Sequence, residues 1–173
     1  MISNIVLTGM MGTFKTSAAK LLAERLGMHF LDTDEFFEFE YSLKISECFK
    51  LYGEEMFRDL ESKVADRVHY FENTVISTGG GMVERDSSME KLKRFGIIVL
   101  LTCDPNVLYK RIKTDKNRPL LRGFNKKAKL KKLWNDRKDR YHKYADIVID
   151  NSALSCAETV DAIEKAIVQF YNK

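Results

Sequence analysis

Ile5-Val6-Leu7-Thr8-Gly9-Met10-Met11-Gly12-Thr13-Phe14-Lys15-Thr16-Ser17 decides the fold of this chain. An apolar run of strand length passes through a glycine-containing turn into a helical pattern. There Ala18, Leu21, Leu22 and Leu26 share one face, and Gly27 stops it. The turn approximates G-x-x-x-x-G-K-[ST], with Gly9, Lys15 and Thr16 at the required spacing. Loops of this kind turn backbone N–H groups onto phosphate oxygens at the positive end of the following helix. The lysine adds charge near the terminal phosphates, and the hydroxyl ligates magnesium. Phe14 stands where the second glycine belongs. A bulky side chain there resists the close approach and positive φ that glycine permits, at a strain of about 1–3 kcal/mol. On these residues alone, nucleotide binding and a chance glycine-rich turn are equal alternatives.

Outward from this unit, strand and helix patterns keep alternating. Strands are predicted at 5–7, 28–31, 74–77, 97–101 and 147–149. Helices are predicted at 17–26, 34–41, 45–51, 53–69, 105–112, 127–144 and 157–171, with a polar loop at 113–125. Gly53-Glu54-Glu55 puts acids in a first helical turn, where the helix dipole favours them. Apolar strands without alternation, separated by helices, imply a parallel sheet covered on both faces. Ligands of such sheets sit beyond the carboxyl ends of the strands. The phosphate-loop pattern, Asp32 and Asp34, the Gly79-Gly80-Gly81 triplet and the segment after Leu101 lie at those ends and are expected to converge.

The rest of the chain narrows the class. Its 173 residues suit one domain with a substantial core, and 45% hydrophobic with 31% charged residues is ordinary globular composition. A net charge of +4 falls short of a nucleic-acid signature. The lysine run from Lys126 to Lys132 reads as the solvated side of a helix, and Phe124 and Trp134 are too few for a base-stacking platform. Cys48, Cys103 and Cys156 are widely separated, which argues against structural zinc or a disulfide framework and suits a reducing compartment. The amino-terminal residues lack a secretory pattern, and the longest apolar run, near 95–101, is too short to cross a bilayer. A cytoplasmic protein is expected, with neither nucleic acid nor membrane as partner.

Several residues have both a chemical and a structural reading. Asp32 and Asp34 follow a strand, so both carboxylates can face one cleft. One would order the water shell of magnesium while the other takes a proton from an attacking hydroxyl. Equally, an Asp just before Glu35-Phe36-Phe37 is a good helix cap. The glycine triplet exposes backbone N–H groups to an oxygen-rich ligand, or is a flexible turn. Arg58 and Arg137 are candidates for bidentate grip on a carboxylate, or are surface ion pairs. Arg118-Pro119-Leu120-Leu121-Arg122 lies in a polar loop that can close over a nucleotide and exclude water.

Taken in order, Gly9-Met10-Met11-Gly12, Leu31-Asp32-Thr33-Asp34, Gly53-Glu54-Glu55-Met56-Phe57-Arg58, Thr78-Gly79-Gly80-Gly81, Arg118-Pro119-Leu120-Leu121 and Arg137-x-x-x-Tyr141 resemble the shikimate kinase family from about residue 5 to 149. The resemblance implies a P-loop kinase fold, a three-layer α/β/α sandwich on a five-stranded parallel sheet of order 2-3-1-4-5 with a lid loop. It implies one domain over 1–173, with a shikimate-binding subregion near 33–60 and a lid near 113–126. The reaction implied is ATP-dependent phosphorylation of the 3-hydroxyl of shikimate by a monomer. Gly9, Met10, Met11, Gly12, Thr13, Phe14, Lys15, Thr16, Ser17, Arg111 and Arg118 would meet ATP, with residues 151–154 beside its base. Thr16 and Asp32 would hold Mg²⁺, and Asp34, Arg58, Arg137 and Gly79–Gly81 the substrate. Lys15, Asp34 and Arg118 would be the catalytic groups. Family members carry glycine in place of Phe14, so weakened ATP binding is expected. A shikimate-binding protein with impaired catalysis, or a related kinase of gluconate or a nucleotide, stays open at this point.

Overall fold

The computed structural model describes residues 4–113 and 125–172. Strand β1 (Asn4–Gly9) is buried at every position and lies at the centre of a five-stranded sheet. With β2 (His29–Asp32), β3 (Thr74–Ser77), β4 (Gly96–Thr102) and β5 (Ile147–Asp150) it forms the order β2-β3-β1-β4-β5, every pairing parallel. The register sets Asp32 beside Ser77, Leu7 beside Ser77 and Gly9 beside Leu101, so the strands end along one edge. The expected fold and strand order are both borne out.

Alternate residues of β1 feed two cores, as the pleat requires. Ile5 and Leu7 pack with Ala18, Leu22, Val99 and Ile163, beneath α1 (Lys15–Leu26) and α7 (Cys156–Tyr171). Val6 faces the other way, with Ile76 and Ile98, onto Phe57, Met89, Leu108 and Tyr141. That second layer is built from α3 (Ile45–Val68), α4 (Asp86–Phe95), α5 (Pro105–Ile112) and α6 (Lys126–Tyr144). Leu22 and Tyr141 are both fully buried, and truncating such a core leucine to alanine costs about 2–5 kcal/mol.

Two differences from the sequence reading have physical causes. Helix α4 was not among the expected elements; its polar sequence buries only Ser88, Met89 and Leu92, on a single side. Helix α3 runs through the two helices predicted at 45–51 and 53–69, with a break where Gly53 adopts φ 81° and ψ 177°. Gly27 ends α1 as expected, with φ 63° and its N–H on the carbonyls of Ala23 and Glu24. The expected lid falls mostly on 114–124, and it lies, with Arg118, outside the described residues. Among the described residues no helix is long and apolar enough to cross a membrane.

Candidate active site

The strand ends, the start of α1, and helices α2 (Thr33–Tyr41), α3 and α6 enclose a cavity of about 980 Å³. Its walls carry Lys15, Thr16, Asp32, Asp34, Arg58 and Arg137, together with Gly79–Gly81 and Arg111. The sequence reading is therefore brought together at one place. Met11, Gly12, Phe14 and Ser17 also line the cavity, whereas Gly9, Met10 and Thr13 do not.

Those three shape the loop from behind. A Cβ on Gly9 would stand 2.3 Å from the Leu101 carbonyl oxygen, so only glycine fits beside β4. The Thr13 hydroxyl donates to the Met10 carbonyl at 2.8 Å, and Asn151 donates to the Thr13 carbonyl at 2.8 Å from its own fully buried site. Helix α1 has no side-chain cap. A helix start of this kind suits an anion. Lys15, 8% exposed, places Nζ 2.9 Å from the Met10 carbonyl at the same end.

Phe14 takes the left-handed conformation that the motif assigns to glycine, with φ 65° and ψ 14°. A bulky residue there is strained by about 1–3 kcal/mol. A stack offsets part of it: the Arg111 guanidinium lies 4.0 Å from the Phe14 ring centroid, a contact of about 0.5–2 kcal/mol. Arg111 is pinned at its edge by the carbonyls of Gly12 at 3.3 Å, Asn151 at 2.9 Å and Leu154 at 3.2 Å. One face of that guanidinium is therefore taken by Phe14.

Asp32 caps α2 with one oxygen and faces the phosphate-loop threonine with the other. Its Oδ1 caps α2, accepting from the N–H groups of Asp34 at 2.9 Å and Glu35 at 3.3 Å. Its Oδ2 accepts the Thr16 hydroxyl at 2.8 Å, with the Ser77 hydroxyl 3.3 Å from Thr16. One carboxylate and two hydroxyls make an all-oxygen set, which fits a magnesium ion that keeps several waters and binds phosphates as well. Among the described residues no group of three or more His, Cys, Asp or Glu forms a metal cage.

At the far end, Asp34 and Glu61 lean over Gly79. A Cβ there would meet Asp34 Oδ1 at 2.5 Å and Glu61 Oε1 at 2.7 Å. The Gly79 N–H donates to the Thr33 hydroxyl at 2.9 Å. Arg58 donates to Glu61 at 2.7 Å and to Glu54 at 3.1 Å. Burial works to lower its pKa, but Glu61 and Glu84 outweigh that and hold it above its ordinary value, so the guanidinium stays charged. Burial pushes the Glu61 carboxyl up, and Arg58 offsets only part of that. Arg137 Nη1 donates to the Gly80 carbonyl at 3.2 Å, and the buried Tyr141 hydroxyl donates to the same oxygen. Burial drives the Tyr141 pKa far up, so it acts as a fixed donor. Thr33, Ser77 and Glu84 went unnoticed in the sequence, since no spacing rule distinguishes them from ordinary polar residues.

The lysine run on α6 is solvated as read, with Leu130 buried and Lys127, Lys131 and Lys132 exposed.

Residues 11–168 match the family described as Shikimate kinase. The chain is 41% identical over 169 residues to a shikimate kinase of Thermodesulfovibrio yellowstonii, covering 98% of this chain and 97% of that protein. It is 39% identical over 166 residues to a shikimate kinase of Caldicellulosiruptor saccharolyticus, covering 94% and 96%. Its fold is similar to that of the shikimate kinase from Acinetobacter baumannii in complex with shikimate, with a TM-score of 0.93, 33% identity and coverage of 98% and 94%. A gluconokinase from Sinorhizobium meliloti, 17% identical over 99% of this chain and 98% of its own with a TM-score of 0.60, shares the fold alone.

Proposed function

The chain belongs to the shikimate kinase family, and we propose that it moves the γ-phosphate of ATP to the 3-hydroxyl of shikimate with the residues gathered in this cavity. The observation that carries the assignment of roles is that Lys15 and Thr16 open onto the same cavity as Arg58 and Arg137. An anion site for phosphates thus faces a carboxylate site across one space. Against the gluconate alternative stands the likeness itself, 17% identity to the gluconokinase but 41% to a shikimate kinase.

The N–H groups opening α1 and the Lys15 ammonium bind the phosphates and hold the terminal one in line with the acceptor. Thr16 and Asp32 would hold Mg²⁺, which would supply neutralisation of phosphate charge. Arg58 and Arg137 grip the acceptor carboxylate. The backbone of Gly79–Gly81 lies along its ring, close because no side chain intervenes. Asp34 sits at the start of α2, leaning over Gly79. It receives the proton of the attacking 3-hydroxyl. Arg118, within a lid near 113–126, neutralises charge on the transferring group. Residues near 33–60 form the acceptor-binding subregion. Catalysis by these groups is positioning and charge neutralisation, without a covalent intermediate on the protein. We place the enzyme in the cytoplasm, working as a monomer.

An acceptor panel tests the reading. With ATP and magnesium, shikimate should be phosphorylated while gluconate and a nucleoside monophosphate are not. Turnover of either of those in preference to shikimate would overturn it.

A further inference from the structure

Glu84 pairs with both guanidiniums that face the acceptor end of the cavity. Its Oε2 lies 3.2 Å from Arg58 Nε, and its Oε1 pairs with Arg137 Nη2. The two arginine side chains are only 5% and 4% exposed, against 29% for Glu84. Glu84 is absent from the wall of the main cavity. It lines instead a second cavity of about 340 Å³, which shares Arg58 and Arg137 with the first. The carboxylate therefore reaches the arginines from the second cavity and not from the main one.

We propose that Glu84 is a positioning residue for the substrate carboxylate, holding Arg58 and Arg137 in one register from the second cavity. Two buried guanidiniums side by side repel each other, and a carboxylate shared between them removes most of that repulsion. Arg58 has Glu61 and Glu54 as further partners. Arg137 also donates to the Gly80 carbonyl and faces Tyr141 and Glu61, while Glu84 ion-pairs with it directly. The backbone reinforces this. Glu84 closes the short turn Met82–Glu84 that follows the glycine triplet, its N–H donating to the Gly81 carbonyl at 2.9 Å. A Cβ on Gly81 would meet the Arg58 guanidinium at 2.1 Å, so the triplet and the arginine are in direct contact. One turn thus sets both the glycine backbone and the charges beside it.

The inference rests on Arg58 and Arg137 binding the substrate carboxylate, and the test separates the two claims. Steady-state kinetics would compare shikimate with its methyl ester, which lacks the anion, for the unmodified chain and for Glu84→Ala and Glu84→Gln. The unmodified chain should prefer shikimate strongly. Glu84→Ala should raise the shikimate KM by about tenfold, the loss of a charge-assisted contact's worth of positioning. It should erode the preference over the ester and leave the ATP KM within about twofold. Glu84→Gln, which keeps the shape but loses the charge that offsets the repulsion, should recover only a small part of the loss. An unchanged shikimate KM, a fall in it, or equal rises in both KM values would overturn the role of Glu84 while the arginine assignment stands. Equal use of acid and ester by the unmodified chain would overturn both.

Discussion

Phe14 carries a conflict between covalent identity and backbone conformation. It keeps φ 65°, and its ring leans on Arg111. The added side chain occupies space next to the N–H groups that must approach phosphate closely. Phe14→Gly should therefore lower the ATP KM by about tenfold, equivalent to about 1.4 kcal/mol, with the shikimate KM little changed. Equal changes in both would show that Phe14 does not act through the phosphate loop. Arg137 is the matching case at the other end. Arg137→Lys keeps the charge but loses the planar fork, and should raise the shikimate KM by about tenfold or more without moving the ATP KM. Lys15, Thr16, Asp32 and Gly79–Gly81 were legible because they follow strand ends in spaced motifs, whereas Arg58, Arg111 and Arg137 lie within helices and were singled out by residue type or family resemblance. Asp32 was legible only as an alternative, because a cap and a ligand make the same demands on sequence; the structure shows the cap, with the second oxygen on Thr16. Glu84 had no signal, since its partners are 26 and 53 positions away (84 − 58 and 137 − 84).

Elements in this fold are anchored by caps whose chemistry predicts an acid limb of stability. Asp104 opens α5 and Glu158 completes a capping box with Ser155 at the start of α7. Hydrogen bonds from the backbone N–H of Asn106 hold the Asp104 carboxyl below its ordinary 3.8, and those from Ser155 hold Glu158 below 4.5. A carboxyl depressed on folding contributes stability that is fully present above its unfolded value and lost as pH falls through the folded one. Asp104→Ala should therefore lower Tm at pH 7, and the gap to the unmodified chain should shrink as pH is brought below the ordinary value. A gap that stays constant would show that the charge is not what caps α5. Strands and long apolar-faced helices were readable from sequence by their period. Helix α4 was not, because the polar run Glu84-Arg85-Asp86-Ser87-Ser88, which leads into it and forms its first turn, resembles a loop and little of its surface is buried. Gly53 was readable as a helix start, although α3 continues through it with only a local break.

At the scale of the whole molecule, the parallel order β2-β3-β1-β4-β5 brings Lys15 and Thr16 of the β1–α1 unit and the arginines of α3 and α6 onto one cavity. The parallel sheet itself was legible from strands lacking alternation, but their order came from family resemblance, because no local pattern encodes which strands are neighbours. A ligand that binds only the folded chain stabilises it by mass action. Shikimate at about a hundred times its Kd should add about 2.7 kcal/mol and raise Tm by about 5–10 °C for a chain of this length. Gluconate should give no shift, and a shift as large as that of shikimate would contradict the acceptor assignment. The most direct test of the account is ADP release by the unaltered chain, Phe14 included, when ATP, magnesium and shikimate are mixed. The expected result is shikimate-dependent turnover with an elevated ATP KM. Shikimate binding without any ADP release at millimolar ATP would contradict it, and would mean that the acceptor pocket persists in a chain that no longer transfers phosphate.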